Sequence, residues 1–197
     1  MRVLLIVLWM LIPVAALAYH LGPGQAQLKL DQASHLLKQA DQDAQQEKWT
    51  TAHQRYAEAL TVIPEDETSL RNKVRLERNK ALMMDRGLNE AFSDLTSLVE
   101  EMKADSQSDR DTLCEAQSSL ASAQFYRTWL MRLEGQPRDV WEPQIESAQM
   151  TYRMLAEHSV NAGKDEQALV HRKDLESAIQ LARMDVGQLQ GLPLPSQ

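Results

Sequence analysis

From Gln25 to Gln190, apolar residues recur at intervals of three and four, and few glycines or prolines interrupt them. That 3.6-residue period is the signature of amphipathic helices. Many of the breakers lie near the two ends, at Pro13, Gly22, Pro23, Gly24, Gly191, Pro193 and Pro195. An all-β fold needs turn residues roughly every 8–12 positions, and the middle of this chain does not supply them. The expected class is therefore all-α: about seven helices joined by short links, which force antiparallel neighbours and a row of helical hairpins.

The remaining breakers and caps divide the pattern. A first helix is expected over Gln25–Glu47. A second covers Thr50–Val62, with Ala52, Tyr56, Ala59, Leu60 and Ile63 on one face and Pro64 as its stop. A third covers Glu67–Arg86, turns Leu70, Val74, Ala81 and Met84 inward, and takes Gly87 as a left-handed C′ residue. A fourth spans Leu88–Lys103, burying Ala91, Leu95, Leu98 and Met102. Ser108 with Asp111 reads as a capping box opening a fifth helix that ends near Glu134. The fifth carries one stripe of Leu113, Ala116, Leu120, Ala123, Tyr126, Leu130 and Leu133, and a second of Ala121, Phe125 and Trp129, so both sides should be covered. Asp139 is the expected N-cap of the sixth, with Pro143 in its first turn, where its missing N–H costs no intrahelical bond, and Trp141, Ile145, Ala148, Tyr152, Leu155 and Ala156 inward. Gly163 ends that helix, and the seventh runs Asp165–Val186, burying Leu169, Leu175, Ala178, Ile179 and Ala182.

The N-terminus bears on the compartment. Met1-Arg2 precedes an uncharged, almost wholly apolar run from Val3 to Ala18, and Ala16-Leu17-Ala18 is a small-x-small cleavage pattern. This reads as a secretory signal peptide cut before Tyr19, or as an uncleaved membrane tether through residues 3–18; at about 1.5 Å per residue the run falls a little short of a bilayer core. Both readings place the body across the membrane, in the periplasm or cell envelope. Residues 1–18 are thus the signal or anchor and 19–26 a linker. Helical hairpins follow over 27–104, then further hairpins or a three-helix cap over 105–190, then an extended tail over 191–197.

The chain is 43% apolar and 25% charged, which excludes collagen-like, disulfide-framework and disordered classes, and its net charge of −7 argues against nucleic acid as a partner. Cys114 is the one cysteine, so no internal disulfide, C-x-x-C pair or cluster site is available, and it reads as a small buried helix residue. The histidines His20, His35, His53, His158 and His171 form no i,i+4 pair, and no nucleotide loop or nucleophile motif occurs. No cofactor, metal or catalysis is implied. Trp49, Trp129 and Trp141 sit on apolar faces and read as core.

One segment carries more specific information. Ala52, Tyr56, Ala59 and Pro64 reproduce the small–aromatic–small–proline spacing of the 34-residue tetratricopeptide pattern, and Leu36 and Ala40 occupy its first-helix positions. Trp49 falls at the inter-helix turn. Gln39 stands at a usually leucine-like position, and Asp43 replaces the usual aromatic. Residues Ala33–Asp66 thus resemble a tetratricopeptide repeat; Glu67–Met102 keeps the helix–turn–helix form with a longer first helix, and the remainder shares the architecture without the motif. The resemblance implies an α-solenoid with a groove for a peptide or protein, formed by Ser34, Leu37, Asp41 and Gln45 in the first repeat and by Thr68, Arg71, Arg75, Arg78 and Asn79 in the second.

That second set lies in the most basic stretch of an acidic chain, residues 71–80. At helical spacing Arg71, Arg75 and Arg78 share a face, either as a clamp for an acidic partner segment or as a solvated face paired with nearby acids. The sequence therefore leads to an exported, non-catalytic interaction scaffold, with a self-associating structural protein as the alternative and a cryptic helical enzyme behind both.

Overall fold

A computed structural model describes residues 23–191 together with Trp9. The signal or anchor expected at residues 3–18 and the tail beyond Gly191 lie outside the described residues, apart from Trp9. Among the described residues no helix is long and apolar enough to cross a membrane. The described chain is all-α: α1 (Pro23–Gln45), α2 (Trp49–Val62), α3 (Thr68–Met84), α4 (Leu88–Ala104), α5 (Arg110–Leu133), α6 (Arg138–Asn161) and α7 (Asp165–Arg183), followed by a 3₁₀ turn, Val186–Gly191. Backbone contacts divide it into two units, one up to Val74 and one from Arg75 onward.

In the first unit, α1 and α2 pack as a hairpin joined by three residues. Ala33, Ala40, Ala52 and Ala59 are fully buried, and Tyr56 is the large side chain between them. Small residues facing one another let the two backbones approach closely.

In the second unit the helices alternate in direction. Arg78 pairs with Glu90 and Arg75 with Glu101, so stepping back along α3 advances along α4. Likewise Arg132 stacks on Trp141 while Ser122 meets Tyr152, which sets α6 antiparallel to α5. Helix α5 is covered on two sides. Ala116 and Ala123 pack with Leu76, Leu95, Leu98, Val99 and Met102, whereas Ala121 and Phe125 pack with Ile145, Tyr152, Leu181 and Leu189. The two apolar stripes expected on this helix thus largely serve two separate cores, except that Tyr126 of the first stripe packs with the second core and Leu130 and Leu133 at the helix end are exposed.

The helix ends required corrections. Four helices close with a left-handed residue and a hydrogen bond reaching back five residues, the arrangement that satisfies late carbonyls. At the end of α3 that residue is Arg86 (φ 51°), not Gly87, whose N–H donates to the Leu82 carbonyl at 2.9 Å. Gly87 has φ −92° and is required for space: a Cβ there would lie 2.6 Å from Leu82 Cδ2. Helix α5 is capped by Asp109 instead of Ser108; its carboxylate accepts from the Thr112 amide at 3.2 Å. Helix α6 begins two residues earlier than Asp139 implies, with Pro137 at the N-cap. Pro143 therefore sits in the helix proper, and the Asp139 carbonyl lacks its usual donor; that end is exposed, where water can substitute. All six apolar residues expected inward on α6 are buried.

Helix α7 meets the expectation in part: Ala178 is fully buried, and Leu175 and Ala182 pack against the same core. Leu169 is 54% exposed, while Ala168, Asp174, Ser177, Ala178 and Leu181 turn inward. Met84, expected inward on α3, is 45% exposed.

Candidate functional site

The two sets of groove positions behave differently. On α1, Ser34, Asp41 and Gln45 are exposed and Leu37 is half-buried, so the stripe at spacings of three and four is open. Asp41 Oδ1 accepts a hydrogen bond from the Tyr56 hydroxyl at 2.6 Å, which ties the stripe to the buried aromatic of α2. Of the two departures from the repeat pattern, the one at Asp43 has a structural reason. Asp43, standing where an aromatic is usual, is buried and ion-paired with Arg55 Nη1 at 2.7 Å, and Arg55 also donates to the Gln39 carbonyl at 3.4 Å. An α2 arginine and an α1 carboxylate here replace an aromatic contact.

The basic stretch of α3 is engaged internally. Within the first unit, Arg71 Nη1 donates to the carbonyls of Leu60 and Ile63 at 3.0 and 2.9 Å, serving the C-terminal end of α2, whose last carbonyls have no intrahelical donor. Thr68 is exposed at the start of α3.

Within the second unit, Arg75 Nη2 donates to Asp94 Oδ1 at 2.8 Å and Nη1 to Glu101; Arg78 pairs with Glu90; and Asn79, fully buried, donates to Asp94 Oδ2 at 2.7 Å. Lys80 extends the set to Glu77 and to Glu115 on α5. Burial disfavours charge on Arg75, but the hydrogen bonds it donates to Asp94 and Glu101 outweigh it and its pKa is raised. Burial would push the Asp94 carboxyl up, yet Arg75 and Asn79 hold it below the ordinary value. These guanidinium forks are thus occupied by carboxylates of α4, and a partner's carboxylate would have to displace them. Glu90, Asp94 and Glu101 form an acidic stripe at spacings of four and seven, and that stripe, set against the arginine stripe of the preceding helix, is the sequence signal for this lock.

A second feature has no local signature. Helices α5, α6 and α7 enclose a cleft of about 500 Å³, lined among others by Asp111, Cys114, His158, Lys164, Glu166 and His171. Cys114 is half-buried, not fully enclosed as expected; burial and the neighbouring Asp111 push its thiol pKa upward, so it stays protonated at neutral pH. Burial lowers the pKa of His171, and its Nδ1 is enclosed without a hydrogen-bond partner among the described residues. Lys164 Nζ donates to Asp111 Oδ1 at 2.7 Å. Among the described residues no group of three or more His, Cys, Asp or Glu side chains is placed to hold a metal ion. Trp141 is buried, and Trp129 is partly so, donating from Nε1 to the Leu189 carbonyl at 3.3 Å.

No protein-family model matches this chain, and no curated protein matches it in sequence.

Proposed function

We propose that this chain is an exported, non-catalytic interaction protein of the cell envelope, related to tetratricopeptide-repeat proteins, that takes up a peptide or protein segment on the open face of α1. The observation that carries the reading is the division of labour within α1–α2. The residues at repeat-signature positions, Ala40, Ala52, Tyr56 and Ala59, are the buried ones, while Ser34, Leu37, Asp41 and Gln45 at the groove positions remain accessible. A helix that spends one face on its hairpin partner and keeps a mixed polar and apolar stripe open is suited to docking. Because Arg71, Arg75, Arg78 and Asn79 are committed to internal acceptors, the docking role is assigned to the α1 stripe and the arginines to holding their helices in register.

Position-resolved photo-crosslinking in the native cell tests this. A photoreactive residue at Ser34, Leu37 or Gln45 should trap one discrete partner, and the same residue at Gln54 or Glu58 on α2 should not. Equal labelling from both helices, or none from α1, counts against the proposal. Export is tested separately by N-terminal sequencing of the mature protein, which should begin at Tyr19 after cleavage or at Met1 in a membrane fraction. A chain recovered only from the cytosol would refute it.

A further inference from the structure

The α6–α7 hairpin carries a second surface, whose argument does not depend on the α1 reading. Its two helices leave a groove of about 540 Å³, walled by Arg153, Glu157 and Val160 from α6 and by Arg172 from α7, with Ala156 and Leu175 also lining it. Ala156 and Leu175 give an apolar floor, and Val160 is 43% exposed beside them. Met150, one turn before Arg153, is 65% exposed and adds a thioether that can adapt to different apolar neighbours.

The charges select the occupant. Arg153 and Arg172 are exposed, one on each wall, and neither makes an ion pair or hydrogen bond among the described residues. In this they differ from Arg55, Arg75, Arg78 and Arg138, which have the carboxylates of Asp43, Asp94, Glu90 and Glu142. Two open guanidinium forks therefore flank an apolar trough that contains a single carboxylate, Glu157. A second copy placed on this groove about a twofold axis would gather four arginines and only two glutamates, Glu157 from each copy, at one contact, a net repulsion. An acidic amphipathic segment meets both requirements, since arginine binds carboxylates bidentately at an apolar edge. We infer that the α6–α7 groove docks an acidic amphipathic segment of another protein, with an apolar side chain over Ala156 and Leu175 and carboxylates on Arg153 and Arg172.

The test uses the full chain and three labelled synthetic helical peptides that share one leucine stripe and differ only in flanking residues: glutamate, glutamine or lysine. Fluorescence anisotropy should rank them in that order, and added salt should weaken the glutamate peptide most. The double variant Arg153→Glu with Arg172→Glu should weaken the glutamate peptide by about tenfold, the worth of two solvent-edge ion pairs, and improve the lysine peptide. Val160→Asp should weaken all three, and Leu37→Ala on α1 should change none, so failure of the α1 proposal would leave this result standing. Far-UV circular dichroism verifies that the exposed-residue variants remain helical. Equal binding of glutamate and lysine peptides, absence of binding, or indifference to the charge reversal would overturn the inference. A dimer in sedimentation equilibrium that Val160→Asp dissolves would overturn it in favour of a second copy.

Discussion

The guanidinium of Arg132 lies 4.8 Å from the ring centroid of Trp141, while its two Nη atoms donate to the main-chain carbonyls of Leu181 and Met184. One α5 side chain thus holds the start of α6 and the end of α7, from a position only 7% exposed. Arg132→Met keeps the stem but strips the last carbonyls of α7 of charged donors. The expected loss is about 2–4 kcal/mol. Arg132→Lys should recover little, because an ammonium cannot span both carbonyls and stack on the indole together. Urea unfolding measures both, as a lower midpoint at unchanged slope.

Asp94 makes stability depend on acid in a defined direction. Its folded pKa is lowered, so its contribution is complete above the unfolded value of about 3.9 and is lost as pH falls through the folded value. Asp94→Asn should therefore cost about 1–3 kcal/mol at neutral pH, where it leaves Arg75 and Arg78 short of an acceptor. The gap from the parent protein should close as pH falls through the lowered folded value. Urea melts across that range decide it; a constant difference at every pH would show that shape, not charge, matters at this site.

Two loop residues should respond with opposite signs. Gly87→Ala drives a methyl group against Leu82 and is expected to destabilise by about 1–3 kcal/mol. Glu47 holds a left-handed conformation, φ 58°, without being glycine. Glu47→Gly removes a strain of about 1–2 kcal/mol and adds unfolded-state freedom worth somewhat less, so a small gain in melting temperature is expected.

The two ends of the α5 stripes should differ. Phe125→Ala empties a fully buried site and should cost about 3–5 kcal/mol. Leu133→Ala, at a site 43% exposed, should change stability by less than about 1 kcal/mol. Thermal denaturation of the pair provides the comparison.

The sequence was most legible where apolar residues alone determine the inward face. Helix α6 illustrates this: its six expected core residues are all buried. On α7 the apolar pattern locates Ala178, Leu175 and Ala182 but misses that the interior face is partly polar. Asp174 and Ser177 are buried while Leu169 and Val170 face outward, so hydropathy alone misassigns these positions. Gly87 was read through its conformational freedom, whereas its place is decided by Leu82 packing across the turn, which no local pattern announces. From its own spacing the arginine face of α3 fits either a clamp or a face paired with nearby acids, and the choice becomes visible only with the acidic stripe of α4 beside it. The cleft containing Cys114 and His171 draws on three helices and has no signature in any one of them.

Helix α5 contributes one side to each of two apolar clusters. Losing the α6–α7 hairpin would strip one side of α5 and loosen the helix against which Leu95 and Leu98 pack. Neither cluster can melt first without weakening the other. From Arg75 onward the chain should therefore denature as one cooperative block, protecting its amides from exchange to a common depth, and not peel away hairpin by hairpin.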